Sequence, residues 1–132
     1  KRVVKLLSPK ALNNTTYYGT VVSNEVLSYV SKAHVVIFPS YGETLSIALL
    51  EAMSIGKLVV TSNIPAFREI IDHGKNGIIA NSLQDYIYTI SKMFLGTYEN
   101  SILKENAYKT IVSKFNQERI VLENINYYNS II

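Results

Sequence analysis

Three short apolar runs, each stopped by a polar or turn-forming residue, constrain the fold most strongly. They are "HVVIFPS" at residues 34–40, "KLVVTS" at residues 57–62 and "NGIIA" at residues 76–80. Continuous apolar runs of this length are typical of strands that are buried on both faces. Helical patterns lie between them, at residues 43–55 and 64–74, with Gly56 and Gly74 placed to end the helices. Repeated strand-helix-strand units predict an α/β fold, a parallel β-sheet flanked by helices on both faces.

The flanking segments extend this pattern. "TTYYGTV" at residues 15–21 is rich in β-formers and predicts another strand, and residues 23–33 predict a helix. Only helical patterns follow Ser82, at residues 83–95, 102–115 and 117–128. "RVVKLL" near the N-terminus fits a short helix or a strand equally well. Because no linker, repeat or low-complexity tract interrupts the chain, residues 1–132 are predicted to form a single domain.

Composition excludes several classes of protein. The chain has 132 residues, of which 48% are hydrophobic and 17% charged, as in an ordinary folded globule. The net charge of +3 suits an anionic small molecule, but no run of Lys and Arg marks a nucleic-acid site. There is no cysteine, and no apolar run approaches the roughly 18 residues that span a bilayer. We therefore expect a cytoplasmic protein, and the opening on Lys1 rather than Met suggests a piece of a longer one.

Two glutamates, Glu43 and Glu51, stand at either end of the almost wholly apolar run "TLSIALL" within "PSYGETLSIALLEAM". On one helix, eight positions would place them about 12 Å apart along the axis and about 80° apart around it. "PSYGE" follows a predicted strand, and open parallel sheets bind ligands beyond the carboxyl ends of their strands. The N–H groups of Thr44, Leu45 and Ser46 would form an anion seat there. A phosphate in that seat would lie beside Glu43 and leave Glu51 for a hydroxyl-rich group.

Structural explanations compete with this hypothesis. Glu43 in a first helical turn would complement the helix dipole, and Glu51 could be buried and satisfied by a backbone amide. His34 and His73 are predicted to be capping or structural rather than catalytic, and their spacing predicts no metal site. "HGKNG" at residues 73–77 could cradle phosphate, but it favours a turn into the next strand. "NINYYNSII" at the C-terminus would, on a structural interpretation, pack on this domain.

The stretch "FPSYGETLSIALLEAMSIGKLVVTSNIPAFREIIDHGKNGIIA" resembles the C-terminal nucleotide-sugar-binding domain of retaining glycosyltransferases with the two-domain GT-B architecture. That family includes sucrose synthases and many bacterial lipopolysaccharide and capsule transferases. Its hallmark is a pair of glutamates separated by seven residues, here Glu43 and Glu51. Gly19, Glu69 and "NG" at residues 76–77 also match, so that the resemblance covers about residues 17–80. It implies a Rossmann-like fold, the C-terminal half of a GT-B fold, truncated at its N-terminus.

The resemblance also implies roles for individual residues. Glu43 is similar to the catalytic glutamate that contacts the transferred sugar, and Glu51 to the one that holds the ribose hydroxyls. The implied donor-binding set is Ser40, Tyr41, Gly42, Thr44, Leu45 and Glu51, with the amides of Thr44 and Leu45 at the diphosphate. The donor would be a UDP-, GDP- or ADP-sugar, with no cofactor and no metal. Ser46 stands where the family often has glycine, and Leu58 where proline is common.

The implied activity is retaining, metal-independent transfer of a hexose-type sugar from a nucleoside diphosphate sugar to an acceptor. The acceptor would come from a missing N-terminal domain, so this fragment alone is expected to be inactive. The Arg and Lys that clamp the diphosphate in the family are not matched here, since Lys1, Arg2 and Lys5 are more typical of solvated charges. A non-catalytic nucleotide-sugar-binding module and one subunit of a split glycosyltransferase remain alternatives. Peripheral membrane association through the full-length protein is also left open.

Overall fold

The structure, a computed structural model, describes residues 9–96 and 99–131 and consists of a small sheet surrounded by helices. The helices are α1 (Pro9–Asn13), α2 (Ser23–Lys32), α3 (Ile47–Ser54), α4 (Pro65–Arg68), α5 (Leu83–Phe94), α6 (Asn100–Lys114) and α7 (Gln117–Ser130). The strands are β1 (Val35–Phe38), β2 (Leu58–Ser62) and β3 (Ile78–Ala80). "RVVKLL", at residues 2–7, lies wholly outside the described residues, so its two interpretations stay open.

The three strands form one parallel sheet in the order β1-β2-β3. In its register Val36 is opposite Val59, and Val60 is opposite Ile78. Each crossover passes through a helix, α3 between β1 and β2 and α4 between β2 and β3. The predicted parallel α/β arrangement is confirmed.

Side chains of β2 point alternately into two hydrophobic clusters, one on each face of the sheet. Val59 belongs to the cluster built with α3, α4 and Ala107 of α6. Leu58 and Val60 belong to the cluster built with Met93 of α5 and Leu103 of α6. The prediction of a strand buried on both faces is therefore confirmed for β2. It is wrong for β1, an edge strand whose Ile37 is 43% exposed.

The predicted strand at residues 15–21 is wrong. This segment is irregular, and none of its residues pairs with a strand in the described part of the chain. Its tyrosines Tyr17 and Tyr18 are exposed, and the Tyr18 ring packs against Tyr29 of α2 with 4.4 Å between the centroids. Tyrosine and threonine favour strands only where neighbouring strands and a packed face are present, and this segment has neither.

The helix predicted at residues 43–55 begins four residues later, at Ile47. Ser46 occupies the N-cap position with extended backbone angles, which suits a residue type that favours caps over helix interiors. Glu43 therefore lies in the loop before α3, outside the first helical turn. Both the dipole interpretation of Glu43 and the helical geometry predicted between Glu43 and Glu51 are wrong.

The helix predicted at residues 64–74 is likewise short, ending at Arg68. A turn follows, in which Gly74 adopts a φ of +79° and its N–H donates to the Gly77 carbonyl over 2.9 Å. Buried Asn76 holds this turn, because its side chain donates to the Ile70 carbonyl and to Thr110 Oγ1. "HGKNG" thus forms the predicted turn into β3.

Gly77 has no room for a side chain, which gives the first testable prediction. A Cβ there would lie 2.8 Å from Val59 Cγ2 and 2.9 Å from Ile71 Cδ1, both in the core. We expect Gly77→Ala to lower the free energy of unfolding by about 1–3 kcal/mol through overpacking. Urea unfolding measures this, with Gly42→Ala as the control, since a Cβ at Gly42 meets nothing within 4 Å. Equal stability of the two variants would contradict the packing described here.

α7 contributes nothing to the core of this domain. Asn116 caps it, accepting the Glu118 N–H at 2.9 Å, and its described side chains are all exposed. Ile120, Ile125 and Tyr128 are among the large apolar residues that it leaves in solvent. The interpretation in which "NINYYNSII" packs on this domain is therefore wrong.

Candidate functional site

A cleft of about 560 Å³ opens where the three strands end. Its lining residues are Pro39, Ser40, Tyr41, Ser62, Asn63, Ile64, Ala80, Asn81, Ser82, Leu83 and Tyr86. All but Leu83 and Tyr86, which belong to α5, lie at or just after the carboxyl end of a strand. This is the edge at which open parallel sheets bind ligands, as the sequence predicted for "PSYGE".

The loop between β1 and α3 carries most of the predicted site residues. Ser40 and Tyr41 line the cleft, and Tyr41 is fully exposed. Ser40 Oγ donates a hydrogen bond to Glu43 Oε1 over 2.9 Å. The exposed carboxylate of Glu43 is thus held toward the β1 end of the cleft without being one of its lining residues.

Hydrogen bonds from β2 and from α5 hold the end of β1 beneath this loop. Ser62 Oγ donates to the Ser40 carbonyl over 2.5 Å, and the Tyr86 hydroxyl donates to the Phe38 carbonyl over 3.3 Å. Burial raises the pKa of the Tyr86 hydroxyl above its ordinary value, against a smaller lowering by its hydrogen bond with Ser62. Tyr86 therefore stays protonated at neutral pH and serves as a donor. The result is a fixed backbone beneath Ser40 and Glu43.

The amino terminus of α3 is open. Ser46 makes no side-chain cap, and the N–H groups of Thr44 and Leu45 find no acceptor among the described residues. These two amides lie in the loop just before the N-cap Ser46, next to the positive end of the helix dipole but outside the helix itself. The predicted anion seat of Thr44, Leu45 and Ser46 therefore lies in the loop and N-cap before α3, because the helix starts later than expected, and anion binding there stays a prediction.

Glu51 lies in the second turn of α3 and is exposed. Its carboxylate makes no hydrogen bond or ion pair with any side chain in the described ranges 9–96 and 99–131. The alternative in which Glu51 is buried and satisfied by a backbone amide is therefore wrong. A free carboxylate in water can accept hydrogen bonds from a ligand without first losing a protein partner.

Asn63, Asn81 and Tyr86 were missed by the sequence analysis. Arg68 Nη1 donates to Asn63 Oδ1 over 2.9 Å, and Asn63 Nδ2 donates to Asn81 Oδ1 over 2.6 Å. Their position directly after β2 and β3 was the available signal, because carboxyl ends of parallel strands share one edge. Tyr86 carried no such signal, since only the packing of α5 brings it to the cleft.

Neither histidine lines the cleft, and His73 has the structural role expected of it. His73 Nδ1 accepts the Ile79 N–H over 3.0 Å and so helps to start β3. The His34 ring lies 6.0 Å from the Phe94 ring, away from the cleft. Within residues 9–96 and 99–131, no three His, Asp or Glu side chains are grouped as metal ligands. In the same part of the chain no helix has both the length and the apolarity needed to cross a bilayer.

Comparison with known proteins gives the class to which this fold and site belong. The profile of the family "Glycosyl transferases group 1" matches residues 1–94. The chain belongs to this family. It is 33% identical over 124 residues to an uncharacterized glycosyltransferase of Methanocaldococcus jannaschii, covering 91% of this chain and 32% of that protein.

Solved structures agree on the fold. Sucrose-phosphate synthase from Thermosynechococcus elongatus superposes with a TM-score of 0.85 at 22% identity, over 98% of this chain and 33% of that chain. The C-terminal domain of a group 1 glycosyl transferase (LpcC) from Francisella tularensis gives 0.73 at 22% identity, over 88% of this chain and 60% of that chain. The predicted fold, that of a GT-B C-terminal domain, is confirmed. The chain spans about a third of the length of the first two proteins.

Proposed function

We propose that this chain is the donor-binding domain of a retaining glycosyltransferase whose donor is a UDP-, GDP- or ADP-sugar. The observation that carries the proposal is the open amino terminus of α3, flanked by two exposed carboxylates, Glu43 before it and Glu51 within it. Family membership supports sugar transfer as the chemistry. The nucleotide, the retention of configuration and the roles of individual residues are the new parts of the proposal.

In this proposal the diphosphate sits at the amides of Thr44 and Leu45. When the bond between the sugar and the diphosphate breaks, negative charge develops on the leaving oxygen. Free N–H groups and the positive end of a helix dipole stabilise such charge without having to reorganise. The acceptor is expected from a partner domain, and the basic pair, which the resembled family carries after the first strand of this domain, is not matched in this chain.

The two carboxylates take opposite ends of the donor. Glu51 accepts hydrogen bonds from the ribose hydroxyls, because it is exposed and has no competing partner. Glu43, held by Ser40, accepts from a hydroxyl of the transferred sugar beside the anomeric carbon. A carboxylate at that place also stabilises positive charge that develops on the sugar ring.

Titration of this chain with UDP, GDP and ADP tests the proposal directly. We expect at least one nucleoside diphosphate to bind, weakly, because the basic pair that the resemblance implies is not matched in this chain. Calorimetry measures the affinity, and circular dichroism of the same sample shows that the chain is folded. A folded chain that binds none of the three at millimolar concentrations would disprove the donor site.

Glu51→Gln isolates the ribose contact. In a full-length enzyme that contains this chain, we expect nucleotide affinity to fall by about 1.5–3 kcal/mol, which is a roughly 10- to 150-fold rise in Kd. The free energy of unfolding should not change, because Glu51 is exposed and unpaired. Glu25→Gln, at an exposed glutamate of α2, is the matched control. Equal affinities of the two variants would remove Glu51 from the site.

A further inference from the structure

We propose that the cleft between the ends of β1, β2 and β3 and the start of α5 binds a neutral sugar residue, apart from the nucleotide. This inference deepens the proposed function, since the cleft adjoins Ser40 and Glu43, where the reacting end of the donor is placed. Its volume of about 560 Å³ lies in the range usual for small-molecule sites.

The walls of the cleft have the chemistry that suits a neutral sugar. Three serines, two asparagines, two tyrosines and four apolar residues line it, and none of these lining residues is charged. Hydroxyl and amide groups exchange hydrogen bonds with sugar hydroxyls, while apolar walls pack against the C–H face of a sugar ring. A phosphate would instead need cationic side chains or free backbone amides.

The start of α5, the helix next to the cleft, is closed to anions. The N–H groups of Asn81 and Ser82 both donate to Asp85 Oδ2, over 2.8 and 3.1 Å. Ser82 Oγ in turn accepts the Asp85 N–H, which completes a capping box at the start of α5. The carboxylate of Asp85 therefore holds the place that a phosphate would take and repels it. The start of α3 has no such cap. A phosphate is therefore directed to the start of α3 and a sugar to the cleft, at two parts of the same sheet edge.

The asparagine amides of the cleft are fixed in orientation. Because Arg68 donates to Asn63 Oδ1, the Asn63 amide nitrogen faces Asn81 and donates to its Oδ1. The Asn81 Nδ2 group is then left without an acceptor in the described residues, and it belongs to a cleft-lining side chain. A preoriented donor of this kind selects a hydroxyl oxygen at a defined position and loses little entropy on binding.

Amide NMR spectra of this chain test the inference. The probes are the methyl glycosides of glucose, mannose and galactose, titrated separately from UDP, GDP and ADP. We expect at least one glycoside to shift the side-chain amide signals of Asn63 and Asn81 and the backbone signal of Ser82. We expect the nucleotides to shift Thr44 and Leu45 instead. Glycosides that shift none of the cleft signals, or nucleotides that shift Asn63 and Asn81 in place of Thr44 and Leu45, overturn the inference.

The two proposals fail separately. Nucleotides that shift nothing while a glycoside shifts the cleft signals would reject the nucleotide site and support the sugar site. Asn81→Ala should weaken the glycoside about three- to tenfold through loss of one directed hydrogen bond. Asn126→Ala, at an exposed asparagine of α7, is the matched control and should leave the affinity unchanged. Equal affinities of these two variants, both with native-like spectra, overturn the assignment of Asn81.

Competition identifies the source of the sugar. If the cleft holds the transferred sugar, the nucleotide sugar displaces the glycoside from Asn63 and Asn81 while the bare nucleotide does not. If the cleft holds a sugar of the acceptor, the glycoside still binds when the nucleotide sugar is present. Either result supports a sugar site. The first result identifies the bound sugar as that of the donor, and the second identifies it as a sugar of the acceptor.

Discussion

Glu43→Ala in a full-length enzyme that contains this chain should reduce turnover by about 10²–10³, or roughly 3–4 kcal/mol of transition-state stabilisation. Affinity for the bare nucleoside diphosphate should stay almost unchanged, because Glu43 is assigned to the sugar end of the donor. The free energy of unfolding should also hold, since the side chain is exposed and lies outside α3. Steady-state kinetics, calorimetry with the nucleotide and thermal melting of the one variant test all three statements.

Glu69→Ala is the matched control for Glu43→Ala. Glu69 is an exposed glutamate at the end of α4, and no role in donor binding is assigned to it here. It should keep normal turnover. An active Glu43→Ala enzyme would remove Glu43 from the reacting centre, and a loss shared equally by both variants would point to a general effect of surface charge.

The architecture could be predicted from the sequence because the strands of an α/β sheet are continuous apolar runs. β2 shows the strongest case, with Leu58 to Thr61 all buried and the predicted bounds nearly matched. The prediction of a strand at residues 15–21 was wrong because strand propensity is a property of the side chains alone. A strand also needs a neighbouring strand with which to pair. The start of α3 was missed because helix formers outweighed Ser46, whose preference for caps sets the true boundary.

In the candidate site, too, some residues could be predicted from the sequence and others could not. Glu43, Glu51 and the amides between them form one short segment, so a motif within the sequence could reveal them. Asn63 and Asn81 are 18 residues apart and meet only through the parallel register of β2 and β3. Tyr86 joins them only through the packing of α5. Sites assembled from several strand ends need the register, which a single sequence does not state.

The exposure of Glu51 reveals a physical reason for a carboxylate in an apolar helix. α3 buries Leu49, Ala52 and Met53 against the sheet, and Glu51 lies on the opposite side. The apolar character of "IALLEAMS" therefore reflects one buried face plus neighbours such as Ile47, which is 58% exposed. Because Glu51 is exposed, its carboxylate stays hydrated when the chain folds. The glutamate therefore does not lower the stability of the fold, and its presence bears on ligand binding.

Phe67→Ala should cause the largest loss of stability, about 3–5 kcal/mol of the free energy of unfolding. Phe67 is completely buried and packs edge-to-face on Phe38, with 6.3 Å between the ring centroids. Deleting the ring leaves a cavity that the rigid sheet beneath can only partly close. Because domains of this size are typically stable by only about 5–15 kcal/mol, a large share of the total would be lost.

Phe94→Ala makes the same chemical change at a residue that is 69% exposed. It should alter the free energy of unfolding by no more than about 0.5 kcal/mol, so the difference between the two variants measures burial alone. Urea denaturation of both gives that difference.

The comparison also bears on the site, since Phe38 is followed directly by Pro39 and Ser40. A cavity under Phe38 should loosen the backbone that holds Glu43, and nucleotide-sugar turnover should then fall in Phe67→Ala at temperatures where it is still folded. Normal turnover in that variant would show that the Ser62 and Tyr86 hydrogen bonds alone fix the loop.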